Sequence, residues 1–159
     1  MEGDDVDKQE RAALVTRYKE GHRAVVDAFR GIADEELDRS ASDEWTPRQI
    51  AHHLADSEMM SAIRIRRLLA EDSPVIHGYN EAEFAKRLTS DRPIAPSLEA
   101  MRYARESTAQ LLDRLSDEDW RKTGTHSESG PYSVETWLKI YAAHAHDHAA
   151  QVKRSRGTK

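Results

Sequence analysis

The sequence predicts an all-α domain of four long helices, with a long crossover between the second and third. Three observations carry this expectation. Apolar residues recur at the three- and four-residue spacing of a helical face. No long stretch alternates between polar and apolar residues, as half-buried strands do. Only 7 glycines and 5 prolines occur in 159 residues, few enough to leave long segments without helix breakers. A chain of this length has room for one core, so residues 1–159 are expected to form a single helical domain.

The first helix is expected over residues 6–30, ended by Gly31. Its inward seam reads Leu14, Tyr18, Gly21, Val25, Phe29 and Ile32, close to the 3.5-residue period of bundle packing. His22 lies at the rim of that seam. A polar connection with a short turn at residues 34–37 follows. The second helix has a strong start: Thr46 as N-cap, Pro47 in the first turn, and Gln49 closing a capping box. It runs to about Ala70. Residues 71–95 hold two prolines and a glycine around one short helical stretch, 81–88, and are long enough to cross the end of a bundle. The third helix is expected over residues 97–115, with Met101, Ala104, Thr108, Leu112 and Leu115 inward. A second acidic turn at 116–119 and a flexible loop at 124–131 lead to a fourth helix capped by Ser133. The run Ile32 to Arg39 resembles Leu115 to Lys122, and each leads into a capped, histidine-bearing helix. This is a faint internal echo.

Composition narrows the function. A net charge of -5 argues against a nucleic-acid surface, and the basic residues Lys153, Arg154 and Arg156 suit a helix C-terminus instead. With no cysteine, Cys-ligated zinc, disulfides and a cysteine nucleophile are excluded. The N-terminus lacks a basic region followed by an apolar run, and no segment reaches the ~18 apolar residues of a membrane span. The default expectation is a soluble cytoplasmic protein without a membrane partner.

The chemistry concentrates in His144-Ala145-His146-Asp147-His148. Successive helical residues rotate by about 100°, so His144 and His148 stand one above the other on one face. Trp137, Ile140, Tyr141 and Val152 are expected on that same side, with Gln151 beside the pair. His146 points away, towards Lys139 and Lys153. Two buried imidazoles at i and i+4 can chelate one metal ion with a third ligand from elsewhere. The alternative is two separately satisfied core histidines.

His53 on the second helix is the candidate third ligand. It lies about 60° from Ile50, at the border of the core side, whereas His52 lies about 160° away, in the sector of Met59, Ile63 and Arg66. His53, His144 and His148 would give three neutral nitrogen donors and leave coordination positions open. Such ligands suit zinc, nickel, iron or copper alike. Asp56, Glu58, Asp147 and Gln151 are near enough in helical terms to orient the imidazoles. Glu58 faces the core, either as a working carboxylate or salt-bridged to a neighbouring helix. Tyr141, one turn before His144, is a second candidate catalytic residue, or a core tyrosine bonded to backbone. Glu-x-x-His pairs, His-Glu-x-x-His and phosphate-cradling glycine loops are absent, and no aspartate follows Asp147 to complete a His-Asp phosphohydrolase set.

The run Trp45-Thr46-Pro47-Arg48-Gln49-Ile50-Ala51-His52-His53-Leu54-Ala55-Asp56-Ser57-Glu58, the segment Pro74 to Glu81 with Tyr79-Asn80-Glu81, and Tyr141-Ala142-Ala143-His144-Ala145-His146-Asp147-His148 together resemble the DinB superfamily. The likeness is to its YfiT-like branch of metal-dependent hydrolases and thiol transferases, and it covers nearly the whole chain. The resemblance implies a four-helix bundle with non-sequential topology and one divalent metal, zinc or nickel, on His53, His144 and His148. It also implies a homodimer and, in some relatives, a low-molecular-weight thiol as co-substrate. The expected function is a metal-dependent enzyme, a hydrolase or thiol S-transferase, that activates water or a thiol against a small molecule. A non-catalytic metal-stabilised bundle binding a small ligand or partner protein is the alternative, and a bundle without metal the third. Tyr79, Asn80 and Glu81 either line the mouth of the pocket or cap the short helix that follows.

Overall fold

The structure, a computed structural model, describes residues 7–41 and 43–157. Along the chain run α1 (Lys8–Phe29), α2 (Asp34–Leu37), α3 (Pro47–Ala70), β1 (Val75–Ile76), α4 (Glu81–Arg87), α5 (Ala95–Leu112), α6 (Asp117–Trp120), β2 (Thr123–His126), β3 (Gly130–Ser133) and α7 (Val134–Ser155). The four long helices form a bundle in which α1 and α3 each pack on both α5 and α7. The consecutive long helices α1 and α3 therefore face one another across the diagonal. The crossover through β1 and α4 delivers α5 between them. No helix among the described residues is long and apolar enough to cross a membrane.

Local chemistry sets the boundaries. Asp7 Oδ1 accepts from Glu10 N at 2.7 Å, so α1 starts at Lys8 rather than at Val6, which lies outside the described residues. The capping box of α3 forms as expected: Gln49 N donates to Thr46 Oγ1 at 3.2 Å, and Thr46 N donates to Gln49 Oε1 at 2.9 Å. Ser133 caps α7, accepting from Thr136 N at 3.0 Å. The third long helix spans residues 95–112 rather than 97–115. Pro96 fits its first turn, which needs no donor there, and the Ser97 hydroxyl is spent on His52 instead of a cap. Leu115, beyond its end, still packs on the core.

The expected flexible loop at 124–131 is instead most of a β-hairpin. β2 pairs antiparallel with β3 and parallel with β1, adding a three-stranded sheet to an otherwise helical fold. Two side chains fix the sheet to the bundle, Ile76 and Tyr132, exposed by only 1% and 3%. Gly124 is required where β2 runs against the crossover, because a Cβ there would stand 2.4 Å from the Pro74 carbonyl oxygen. The internal echo has a structural counterpart: α2 and α6 are both four-residue acidic helices with a buried last residue, Leu37 and Trp120.

The core is divided. One apolar cluster gathers Tyr18, Ile65, Leu68, Leu112, Trp137 and Leu138, and another gathers Val25, Ile50, Leu54, Met101, Ala149 and Val152. Between them lies a polar layer centred on Arg105, not Ala104 as the helical reading placed it. The Arg105 Nε donates to Glu58 Oε2 at 2.9 Å, Nη2 to the Tyr141 carbonyl at 2.9 Å, and Nη1 to the Tyr18 carbonyl. Tyr18 Oη donates to the other Glu58 oxygen at 3.1 Å. One guanidinium thus joins all four long helices. Gly21 makes room for it, since a Cβ there would stand 2.2 Å from Arg105 Nη1.

Candidate metal centre

α3 and α7 are neighbours in the bundle, and their inward faces bring His53, His144 and His148 together. One ring nitrogen from each lies within 4.8 Å of the others. The Nε2 atoms of His53 and His144 are 3.3 Å apart. Two nitrogens held at about 2.0–2.1 Å by a tetrahedral ion stand about 3.3–3.4 Å apart, so this pair has the spacing of a chelate. Gln151 orients His148: its Oε1 can only accept, so His148 Nδ1 carries the proton at 2.9 Å and Nε2 keeps a lone pair. His144 Nδ1 is buried with no hydrogen-bond partner. A buried imidazole with one ring nitrogen unbonded, and the other facing a second imidazole, is poorly satisfied as a mere core residue. The donor set fits a divalent ion.

Burial keeps these rings neutral. It lowers His53 to about 4, with the charge of a protonated His148 adding to the effect. Burial, then His148, His53 and Arg105, lowers His144 to about 2. His148 is also lowered by burial, against the opposing Gln151 hydrogen bond and the nearby Glu81 and Asp147 carboxylates. In the unfolded chain the same rings protonate near pH 6.5. Below that pH the unfolded state binds protons that the folded state refuses, so stability must fall as pH drops. Metal-free protein should therefore lose stability from about pH 6.5 downwards, by up to about 1.4 kcal/mol per pH unit for each histidine. Urea midpoints in chelator at pH 7.5, 6 and 5 measure this, and a flat profile would contradict it.

The other sequence candidates fall in different places. Glu58 is buried, and both its oxygens serve Arg105 and Tyr18; the structure places it in the interhelical ion pair. Tyr141 Oη accepts from Arg64 Nη1 at 3.0 Å, a side-chain partner rather than a backbone one, and burial raises its pKa. Its ring meets that of His144 with centroids 5.9 Å apart. His52 is not an outer residue, because α5 covers it completely. Its Nε2 donates to the Arg92 carbonyl at 3.1 Å, and its Nδ1 accepts from Ser97 Oγ at 2.7 Å, so no lone pair remains for an ion. Asp56 interacts with His52 and Arg92. Asp147 is exposed and reaches His148 only through its charge. Ile140, expected on the inward face, is 43% exposed. His146 Nε2 donates to the Arg17 carbonyl of α1 at 2.8 Å.

Residue patterns alone did not assign Trp45 to the site. Its indole lies 4.8 Å from the His53 ring and parallel to His148 within 8° at 6.4 Å, forming a wall over the imidazoles. The signal available was a bulky aromatic just before an N-cap. A cavity of about 600 Å³ is lined by Arg64, Tyr79, Glu81, His126 and Glu128 among others, and Glu81 links it to the centre through the charge it exerts on His148. Asn80 also lines it and caps α4, accepting from Glu83 N at 3.1 Å. The capping alternative for the crossover thus holds for Asn80, and all three residues line this cavity.

Fold and site together define a class: a diagonal four-helix bundle whose interior turns three neutral imidazoles towards one point. The family follows from comparison. The DinB superfamily model matches residues 17–152, and the chain belongs to this superfamily. A relative from Oceanobacillus iheyensis, named "Putative metal-dependent hydrolase", is 39% identical over 122 residues, 76% of this chain and 71% of the relative. A protein of the same description from Halalkalibacterium halodurans is 30% identical over 111 residues, 70% of this chain and 65% of its own length. The solved structure of YfiT from Bacillus subtilis superimposes with a TM-score of 0.90 at 26% identity, covering 100% of this chain and 94% of that one. It is described as "a probable metal-dependent hydrolase with an unusual four-helix bundle topology". At that TM-score, over all of this chain, the two share a four-helix bundle topology.

Proposed function

We propose that this protein is a metal-dependent enzyme in which His53, His144 and His148 hold one divalent ion, zinc or nickel, to activate a nucleophile against a small molecule. The observation that carries the reading is the convergence of three neutral, mostly buried imidazoles on one point. An ion held there supplies Lewis acidity, lowering the pKa of a bound water to about 7 or holding a thiol as thiolate. The chain's own residues set the surroundings. Gln151 holds the His148 tautomer, and Trp45 shields one side of the rings. Arg64, which lines the cavity, donates to the Tyr141 hydroxyl and fixes it. No cysteine is present to act as a protein thiol nucleophile, so the attacking group comes from solvent or a co-substrate. The relatives' names favour water and hydrolysis. Thiol transfer rests on the resemblance within the superfamily.

The test assays both reactions with zinc- and nickel-loaded protein. Hydrolysis of small esters and amides without thiol should appear if water is the nucleophile. Faster conjugation of small thiols to a chlorobimane should appear if a thiol is. His148→Ala should abolish whichever gain is seen. Silence in both reactions, with the ion bound, would leave the non-catalytic ligand-binding bundle as the reading to prefer.

A further inference from the structure

The cavity that Glu81 and Arg64 line holds charges of both signs that, among the described residues, lack a counter-charge. From α3, Arg64 Nη1 donates to Tyr141 Oη and Nη2 to the His77 carbonyl, each at 3.0 Å. These bonds hold the guanidinium in place and leave further N–H donors of its fork unspent. The buried hydroxyl of Tyr79 interacts with Ser57, and that of Tyr132 with Arg64 and Tyr141. Tyr79 lines the same cavity. This part of the site therefore offers a fixed cation with N–H donors to spare.

The negative side is also built. Glu81 opens α4, close enough to His148 for its charge to act on that ring. Glu128, from the β2–β3 turn, occupies the space that a side chain at position 78 would fill, with its Oε2 2.6 Å from a Cβ placed on Gly78. Among the described residues, neither carboxylate has an ion-pair partner. A simple anion would meet two carboxylates, and a simple cation would leave the guanidinium unmatched. A ligand carrying one charge of each sign satisfies both.

We propose that the cavity selects a small zwitterion of the amino-acid type, its carboxylate held by Arg64 and its ammonium by Glu81 and Glu128. A volume of about 600 Å³ accommodates an amino acid or short peptide. As a substrate class this rests on the proposed function, since Glu81 links the cavity to the histidines through its charge on His148.

The probes are L-phenylalanine, N-acetyl-L-phenylalanine, which lacks the ammonium, and L-phenylalaninamide, which lacks the carboxylate. Binding is followed by ligand-observed NMR on full-length protein, both zinc-free and zinc-loaded. Wild-type protein should bind L-phenylalanine at least about tenfold more tightly than either derivative, the scale of one lost charge-assisted hydrogen bond. Glu128→Gln should narrow the gap to the acetylated probe alone. Arg64→Gln, checked for an unchanged fold by its melting curve, should narrow the gap to the amide alone. Equal binding of all three probes, binding of none, or a preference that Glu128→Gln leaves intact would overturn the proposal. The zinc-free arm separates the two readings. A preserved preference in protein that cannot hold zinc would sink the metal enzyme and leave the zwitterion site standing.

Discussion

Arg105→Met should destabilise the bundle by about 3–5 kcal/mol, the cost of leaving a buried charge without its partner. The Arg105 side chain is 3% exposed and that of Glu58 1%, so water cannot replace the missing guanidinium. The substitution also removes donors from the Tyr18 and Tyr141 carbonyls, loosening α1 and α7 at the level where His144 enters the core. Glu58→Gln should cost less, because the amide oxygen can still accept from Arg105 while its NH2 donates to the Tyr18 hydroxyl. The double variant Glu58→Leu, Arg105→Met should recover much of the loss, since an apolar pair of similar volume removes both desolvation penalties. Urea unfolding of the three variants checks this. A loss below about 1 kcal/mol for Arg105→Met would show that the polar layer does not tie the helices together.

Metal removal should have the second-largest effect. The three histidines come from α3 and α7, so an ion bound only by the folded state stabilises the bundle by linkage. At a free concentration 1,000 times Kd the gain is about 4 kcal/mol, or about 10 °C for a domain of this size. Chelator should lower the melting temperature of wild-type protein by that order, and added zinc or nickel should restore it. His144→Ala should melt at the same temperature with or without metal. His52→Ala should lose about 1 kcal/mol of stability, through the unpaired Ser97 hydroxyl and Arg92 carbonyl, yet keep its response to metal.

Much of this was legible because the signals are local. Thr46, Pro47 and Gln49 announce the start of α3 through bonds made within four residues, and that start sets the phase that turns His53 inward and His52 away. The i, i+4 spacing of His144 and His148 required only that α7 be a helix. What stayed hidden depends on distant partners. The short sheet forms because β1 supplies an edge to β2 from a segment 50 residues earlier, at Val75 and Thr125, and neither stretch has a strand pattern of its own. His52 looked outward on its own helix, and only the packing of α5 buries it. Arg105 lies four residues after Met101 and three before Thr108, an inward phase. A lone arginine there reads as surface until Glu58 and Gly21 are seen to accommodate it. Ile140 was placed inward by an angle too generous for the width of the buried stripe.

The central claim is that His53, His144 and His148, and no other histidines, form one metal site. Its most direct measurement is elemental analysis of protein purified without an affinity tag, across single alanine substitutions of His52, His53, His144, His146 and His148. The account predicts one zinc or nickel ion per chain in wild-type protein, near-parental content in His52→Ala and His146→Ala, and severe depletion in the other three. Metal retained in both His144→Ala and His148→Ala, or lost equally from His52→Ala and His53→Ala, would contradict it.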